Sequence, residues 1–203
     1  MDVKDVDVAI IGAGLVGASL AAALAGSGLK LALIEREPPQ PPGAGWDSRI
    51  YSLTPASIAF LDGIGAWPRV DKSRVSAIHA MRIYGDDRRS RLSFSAYETG
   101  VLELAATVES GRLQHALWQG LERQRNLSLL CPAVPSQLVR HADRVEIRLE
   151  GGDAVVAKLA VGADGANSWA RRAAGMAACA VSYGQHGVVA NFACEHEHRN
   201  TAS

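Results

Sequence analysis

The feature that most constrains this chain is a break in its pattern. A short apolar run over residues 6–11 stops at Gly12-Ala13-Gly14-Leu15-Val16-Gly17, and a helix-like stretch follows. In that stretch Leu15, Ala18, Ser19, Ala22 and Ala25 recur at helical spacing, with Gly28 as the stop. Strand, glycine turn and helix in this order open a βαβ unit. Each glycine has its own physical task. Gly12 lets the chain turn sharply, Gly14 leaves room for a pyrophosphate at the backbone, and Gly17 lets the helix pack close to the strand. The N–H groups at the helix start, at the positive end of its dipole, then face the phosphates. A second apolar run over residues 29–34 ends in Glu35. An acid at this distance beyond the glycines accepts hydrogen bonds from a ribose. A carboxylate there accepts a free 2′-hydroxyl and repels a 2′-phosphate, so the adenosine of FAD or NAD suits it better than that of NADP.

Composition narrows the setting. A chain of 203 residues with 48% hydrophobic residues has enough material for a large buried core. Its formal net charge is zero and it has no basic block, which argues against nucleic acid as a partner. The acidic start, Met1-Asp2-Val3-Lys4-Asp5, leads directly into the first strand and lacks the regions of a signal peptide. No run approaches the ~20 apolar residues of a membrane helix. Three scattered cysteines, Cys131, Cys179 and Cys194, form no Cys-x-x-Cys and read as thiols of a reducing cytoplasm.

Residues 38–45, rich in proline and glycine, read as a loop, and loops beyond the strand ends of an open sheet border its ligand crevice. Thr54 caps a helix that has Pro55 at its first position and runs to about Leu61. Residues 78–84 alternate like a strand, Gly85-Asp86-Asp87 turns, and Leu92-Ser93-Phe94 pairs back, as in an antiparallel sheet of different character. A helix is expected over residues 110–125, with Leu113, Ala116, Leu117 and Leu121 on one face, then a strand over residues 127–131. Residues 136–163 read as a three-stranded meander whose last strand becomes almost wholly apolar and enters a buried sheet. That strand ends in Gly162-Ala163-Asp164-Gly165-Ala166-Asn167-Ser168, where Asp164-Gly165 turns the chain and Ser168 or Asn167 caps a helix to about Ala174. The four tryptophans read as core and interface residues, residues 187–192 as strand-like, and Cys194-Glu195-His196-Glu197-His198 as a solvated tail without metal-site order. Ser168 lacks a Gly-x-Ser-x-Gly elbow, which excludes the usual hydrolase reading.

Four stretches together resemble a known family. They are residues 11–17 with Glu35; Asp47-Ser48-Arg49-Ile50-Tyr51-Ser52-Leu53-Thr54-Pro55-Ala56-Ser57; Val108-Glu109 through Leu113-Gln114-His115-Ala116-Leu117-Trp118; and residues 162–168. In this order they are similar to the N-terminal portion of the ubiquinone-biosynthesis FAD-dependent hydroxylases, the 2-octaprenylphenol type among class A flavoprotein aromatic monooxygenases. The resemblance implies an α/β fold: a Rossmann-like FAD- and NAD(P)-binding domain with a three-stranded β-meander and the start of an antiparallel substrate-domain sheet. It divides the chain into an FAD-binding βαβ unit (1–76), a first substrate-domain segment (77–108), the rest of the FAD-binding domain (109–178) and the start of a second substrate-domain segment (179–203).

The resemblance also implies site residues. Gly12, Ala13, Gly14, Leu15, Val16 and Gly17 would cradle the FAD pyrophosphate, with Glu35 and its neighbour Arg36 on the ribose side. Arg49 would contact the cofactor near its adenosine and pyrophosphate. Ser110 and Gln114 would lie on the helix lining the flavin site, Ser110 being shorter than the Arg, Gln or Asn of relatives. Asp164 and Gly165 would serve both FAD and NAD(P)H as co-substrate. No metal is implied, and no catalytic acid or base is assigned. The implied reaction hydroxylates a lipid-soluble polyprenyl phenol with NAD(P)H and O2. Such a substrate implies a cytoplasmic protein, peripheral at the inner face of the membrane or held in a biosynthetic complex. The family continues beyond motifs present here, so the chain reads as truncated near Ser203, and an apolar edge there would favour a homodimer. Two other readings stay open: another FAD- or NAD-dependent oxidoreductase, and a catalytically inactive nucleotide-binding fragment.

Overall fold

The computed structural model describes residues 2–87 and 89–203. In chain order the elements are β1 (Val3–Ile11), α1 (Leu15–Ala23), β2 (Leu31–Ile34), β3 (Ile50–Leu53), α2 (Pro55–Gly63), β4 (Ser76–Ile78), β5 (Ala80–Tyr84), β6 (Arg91–Ser95), α3 (Ala96–Thr99), β7 (Ala105–Glu109), α4 (Ser110–Leu121), β8 (Leu127–Leu130), β9 (Pro135–Arg140), β10 (Val145–Leu149), β11 (Ala154–Gly162), α5 (Trp169–Ala173) and β12 (Thr201–Ala202). They fall into two compact units, Met1–Gln40 with Gln114–Gln185 and Pro41–Leu113 with His186–Ser203. Residues 41–76 thus group with the second unit, whereas the sequence division places them with the first βαβ unit.

The first unit is built on a six-stranded sheet of order β8-β2-β1-β11-β10-β9. β8, β2, β1 and β11 run parallel, and β10 and β9 complete an antiparallel meander. Strand sequences follow from these positions. β2 is Leu-Ala-Leu-Ile and is buried throughout, as a parallel strand covered on both faces must be. β10 alternates, with Val145, Ile147 and Leu149 buried between more exposed Glu146 and Arg148. One face of the sheet carries Ala9, Ile11, Ala32, Ile34, Ile147 and Val155 in a single core that includes Ala170 of α5. Ile10 and Leu33, one residue out of step, point to the other face and are fully buried there. α1 buries Gly17, Ala18 and Ala21, a face of small side chains; of the helically spaced Leu15, Ala18, Ser19, Ala22 and Ala25 only Ala18 is buried, and the helix ends near Leu24, ahead of Gly28. α4 buries Leu113, Ala116, Leu117 and Leu121 as expected, though it stops at Leu121.

The second unit holds two three-stranded sheets, β3-β7-β4 and β12-β5-β6. Thr54 caps α2 by accepting the Ser57 N–H at 3.3 Å, with Pro55 at the first position. The single strand expected over residues 78–84 is two strands split at His79, β4 pairing with β7 and β5 with β6. Local alternation cannot register such a change of partner. The hairpin itself has the expected register, with Met81 opposite Phe94 and Ile83 opposite Leu92. Residues 187–192 form no strand, and Val188 and Phe192 are 91% and 83% exposed. Their β-branched and aromatic content gives strand propensity, which is expressed only with a ladder partner, and they pair with none. Trp46 also departs from the core reading, being 67% exposed.

Candidate functional site

Strand register places the motifs. Ile11 at the end of β1 lies opposite both Ile34 of β2 and Gly162 of β11. The residues that leave these three strands, Gly12, Glu35 and Ala163-Asp164, therefore emerge side by side at one end of the sheet. Backbone bonds continue the ladder past the strand ends: the Gly12 N–H donates to the Ile34 carbonyl at 2.8 Å, and the Ala163 N–H to the Ile11 carbonyl at 2.7 Å. In an open α/β sheet the crevice outside the carboxyl ends of the strands, where connections leave in opposite directions, is where ligands bind. Here that crevice is a cavity of about 560 Å³ whose lining includes Gly12, Gly14, Glu35, Arg36, Asp164 and Gly165.

The geometry of the three glycines agrees with the turn, the open backbone and the close helix packing expected of them, and it adds a contact for Gly12. Gly12 has φ +98°, and a Cβ on it would lie 2.6 Å from the Ala163 carbonyl oxygen and 2.8 Å from the Asp164 Cα. Its bareness thus serves the contact between the two motifs: the Asp-Gly turn packs directly on the glycine turn. A Cβ on Gly17 would sit 1.9 Å from the Gly12 carbonyl oxygen, so α1 rests on the strand end only because Gly17 has none. Gly14 is different. Nothing lies within 4 Å of the Cβ it lacks, which leaves open space at the start of α1. The first-turn N–H groups of α1 have no partner within the helix and sit at the positive end of its dipole.

Ala13, between these glycines, is held from both sides. Its N–H donates to Glu35 Oε2 at 2.6 Å, and its carbonyl accepts the Gln114 side-chain amide from α4. The other Glu35 oxygen, Oε1, accepts the Arg36 N–H at 2.7 Å. A carboxylate oxygen has two acceptor positions, so Glu35 Oε2 keeps one for a further donor such as a ribose hydroxyl. Leu15 and Val16 open α1, with Val16 74% exposed.

Asp164 lines the cavity, but its carboxylate is turned toward α5. Oδ1 accepts the Ser168 hydroxyl at 2.5 Å and Oδ2 the Ala170 N–H at 3.0 Å. Burial raises its pKa, yet the Ser168 hydroxyl and the backbone N–H groups outweigh burial and hold the carboxyl below the usual aspartate range. Ser168 in turn caps α5, accepting the Arg171 N–H at 2.9 Å, as expected from sequence. Asp164 therefore fixes the shape of the Asp-Gly turn and presents backbone to the cavity. Trp169 and Arg172 also line the cavity. Sequence reading missed them as site residues, although both follow the Asp-Gly turn on the helix that it starts.

Arg49 and Ser110 belong to the second unit, where they meet at the start of β3: the Ser110 N–H donates to the Arg49 carbonyl at 2.9 Å. Beside them lies a residue that the sequence offered only as part of a resembling stretch, with no role of its own. Glu109 is 3% exposed and binds two arginines. Arg74 grips it with two bonds, Nη2 to Oε1 at 2.7 Å and Nε to Oε2 at 2.9 Å, and Arg112 Nε reaches Oε2 at 2.8 Å. Burial alone would raise the Glu109 pKa; Arg74, the Asp47 N–H and Arg112 bring it below the usual glutamate value. Among the described residues, no group of three or more His, Cys, Asp and Glu is arranged to hold a metal, and no helix is long and apolar enough to cross a membrane.

These features fit the adenosine and pyrophosphate half of FAD: open space at Gly14, unpartnered helix N–H groups, and an acid with acceptor capacity left on the ribose side. A cavity of about 560 Å³ is also within the usual range of small-molecule sites, ~300–1,000 Å³.

Known proteins agree with this reading. The chain is 36% identical over 193 residues to 3-demethoxyubiquinol 3-hydroxylase of Escherichia coli, covering 94% of this chain and 49% of that protein. It is 34% identical over 200 residues to ubiquinone hydroxylase UbiL of Rhodospirillum rubrum, covering 98% and 46% respectively. The chain thus spans about half the length of the curated relatives it matches. Among solved structures it shares its fold with PqsL, a probable FAD-dependent monooxygenase from Pseudomonas aeruginosa, at a TM-score of 0.71 and 21% identity over 89% of this chain and 48% of that one. Residues 5–194 match the family described as the FAD binding domain, and the chain belongs to that family.

Proposed function

We propose that this chain provides the FAD site of a flavin-dependent aromatic monooxygenase that hydroxylates a polyprenyl phenol in ubiquinone biosynthesis, using NAD(P)H and O2. The observation that carries the reading is the convergence of Gly12–Gly14, Glu35 and Asp164–Gly165 on one cavity at the shared end of β1, β2 and β11. Similarity to two ubiquinone hydroxylases over more than nine-tenths of the chain supports the substrate class.

The chain's own residues bind and orient. The first-turn N–H groups of α1 face the pyrophosphate, where Gly14 leaves the backbone bare. Glu35 accepts from the ribose through its remaining acceptor position, and its carboxylate disfavours a phosphorylated ribose. Glu35 and Gln114 hold Ala13 between them, so the turn is shaped before the cofactor arrives and little ordering is needed on binding. Ser168 and the Ala170 N–H fix Asp164 and thus the backbone of the Asp-Gly turn. Bound FAD supplies the redox and oxygen chemistry, for which no protein nucleophile or metal is required.

A lipid-soluble phenol as substrate would place the working protein at a membrane surface or within a biosynthetic complex. The test is to load the chain with FAD and measure NAD(P)H oxidation with and without prenylated phenols in micelles, following product by mass. The reading predicts phenol-stimulated oxidation and a product heavier by one oxygen atom. Oxidation indifferent to every phenol, with no such product, in a version of the full length of the curated relatives would exclude the hydroxylase assignment.

A further inference from the structure

Three of the four tryptophans are engaged elsewhere. Trp118 is buried and gives its indole N–H to Glu122 Oε1 at 2.9 Å. The Lys72 ammonium lies 3.6 Å from the centre of the Trp67 ring, and the Arg74 guanidinium 3.7 Å from that of Trp46. Trp169 is half-buried, and among the described residues it has neither a cation over its ring nor an acceptor at its indole N–H. It lines the cavity that holds Gly14 and Glu35, and among the described residues it is the only aromatic side chain to do so.

Its placement is fixed from the motif beside it. Arg172, three residues further along α5 and so on the same helix face, lines the cavity as well, whereas Ala170 is buried in the core. Both neighbours of Trp169 are tied to one carboxylate: the Ser168 hydroxyl donates to Asp164 Oδ1 at 2.5 Å, and the Ala170 N–H to Oδ2 at 3.0 Å. Asp164, whose carboxylate turns away to α5, thus holds the backbone that carries the indole.

The lining follows the order of the parts of a nucleotide. The phosphates fall at Gly14 and the ribose at Glu35. The Glu35 carbonyl accepts the Ala133 N–H at 2.7 Å, and the Glu35 N–H donates to the Leu130 carbonyl of β8 at 2.9 Å. Ala133 and the residues after it therefore border Glu35 on the edge of β2 away from the glycine turn. Base and phosphate leave a ribose in different directions, so a base whose phosphates lie at Gly14 extends toward Ala133. The walls there, Ala133, Val134 and Pro135, are apolar, and Trp169 packs against the same core as Ala133. We propose that Trp169 is the base-recognising residue of this cavity, stacking its indole on the adenine of the bound nucleotide. The inference rests on the reading of the cavity as the adenosine site of FAD.

The test compares ADP with ribose 5-diphosphate, which is ADP without its base, by titration calorimetry on the full chain. Trp169→Leu keeps an apolar side chain against the core and removes the aromatic face; Trp169→Phe keeps both. Trp169→Leu should weaken ADP about tenfold, the scale of one base–aromatic stack, and change ribose 5-diphosphate by less than about twofold. Trp169→Phe should bind ADP within about threefold of the parent, because the stack needs only a π-face. A readout on the parent needs no variant to fold: ADP should quench tryptophan emission, ribose 5-diphosphate should not, and the quench should vanish in Trp169→Phe. Equal losses for both ligands in Trp169→Leu, no loss for either, or ADP bound without quenching would overturn the stack and leave the cavity reading standing. A folded parent that binds neither ADP nor FAD would overturn the cavity reading, and the stack with it.

Discussion

Gly12 and Gly14 stand two residues apart in one motif, yet the structure gives their methyl substitutions opposite consequences. In Gly12→Ala the new Cβ would lie 2.6, 2.7 and 2.8 Å from the Ala163 carbonyl oxygen, the Ala163 carbonyl carbon and the Asp164 Cα. All three are backbone atoms, so no side chain can swing aside. The positive φ of Gly12 adds about 1–2 kcal/mol of strain for an L-residue, and displacing packed backbone adds about 1–3 kcal/mol. The total, about 2–5 kcal/mol, is a large share of the ~5–15 kcal/mol that keeps a domain folded. Gly14 has φ −61° and nothing within 4 Å of a Cβ. Gly14→Ala should therefore change stability by no more than about 1 kcal/mol, the scale of an N-cap preference, while its methyl stands where the pyrophosphate approaches. Urea unfolding followed by circular dichroism measures the first effect, and FAD titration the second. The expected result is a destabilised Gly12→Ala and a stable Gly14→Ala that binds FAD at least tenfold more weakly. A Gly12→Ala chain as stable as the parent, or a Gly14→Ala chain with undiminished affinity, would refute the division of labour.

Two further predictions concern the hydrogen-bonded acids Asp164 and Glu109. Ser168→Ala removes the cap of α5 and the hydroxyl on Asp164, so it should lower stability by about 1–2 kcal/mol near pH 7. The folded-state pKa of Asp164 is depressed, so its contribution is present above the ordinary value of 3.8 and is lost as pH falls through the folded value. The deficit of Ser168→Ala should shrink in acid, and a deficit constant from pH 7 to 2 would contradict the Asp164 bond. Glu109 follows the same sign from an ordinary value of 4.5. Glu109→Gln should lose about 3 kcal/mol at pH 7 by unpairing two half-buried arginines from a buried site, with the difference from the parent narrowing below pH 4.5 in urea melts.

Much of the first unit was legible because its signals are local. An apolar run cut by glycine marks β1, the run ending at Glu35 marks β2, and alternating Val145, Ile147 and Leu149 mark the exposed half of the meander. Register then did what local patterns cannot, by ending β1, β2 and β11 level and bringing Glu35 and Asp164 to the same cavity. The roles of individual atoms were not legible. That Gly12 faces the Asp-Gly backbone, and that the Asp164 carboxylate turns to α5, depend on contacts between residues about 150 apart or on rotamers. Glu109 escaped for the same reason: Arg74 and Asp47 lie 35 and 62 residues away from it. Residues 187–192 show the converse error, where a strand-like composition finds no neighbour to pair with.

The central claim is that the cavity at the shared end of β1, β2 and β11 takes the adenosine and pyrophosphate half of FAD. Titrating the folded chain with FAD, and then competing with ADP or with FMN, tests it most directly. Expected is saturable FAD binding that ADP displaces, that FMN, lacking the adenosine, leaves unchanged, and that Gly14→Ala weakens. A folded chain that binds neither FAD nor ADP, or whose FAD is displaced by FMN and not by ADP, would contradict it.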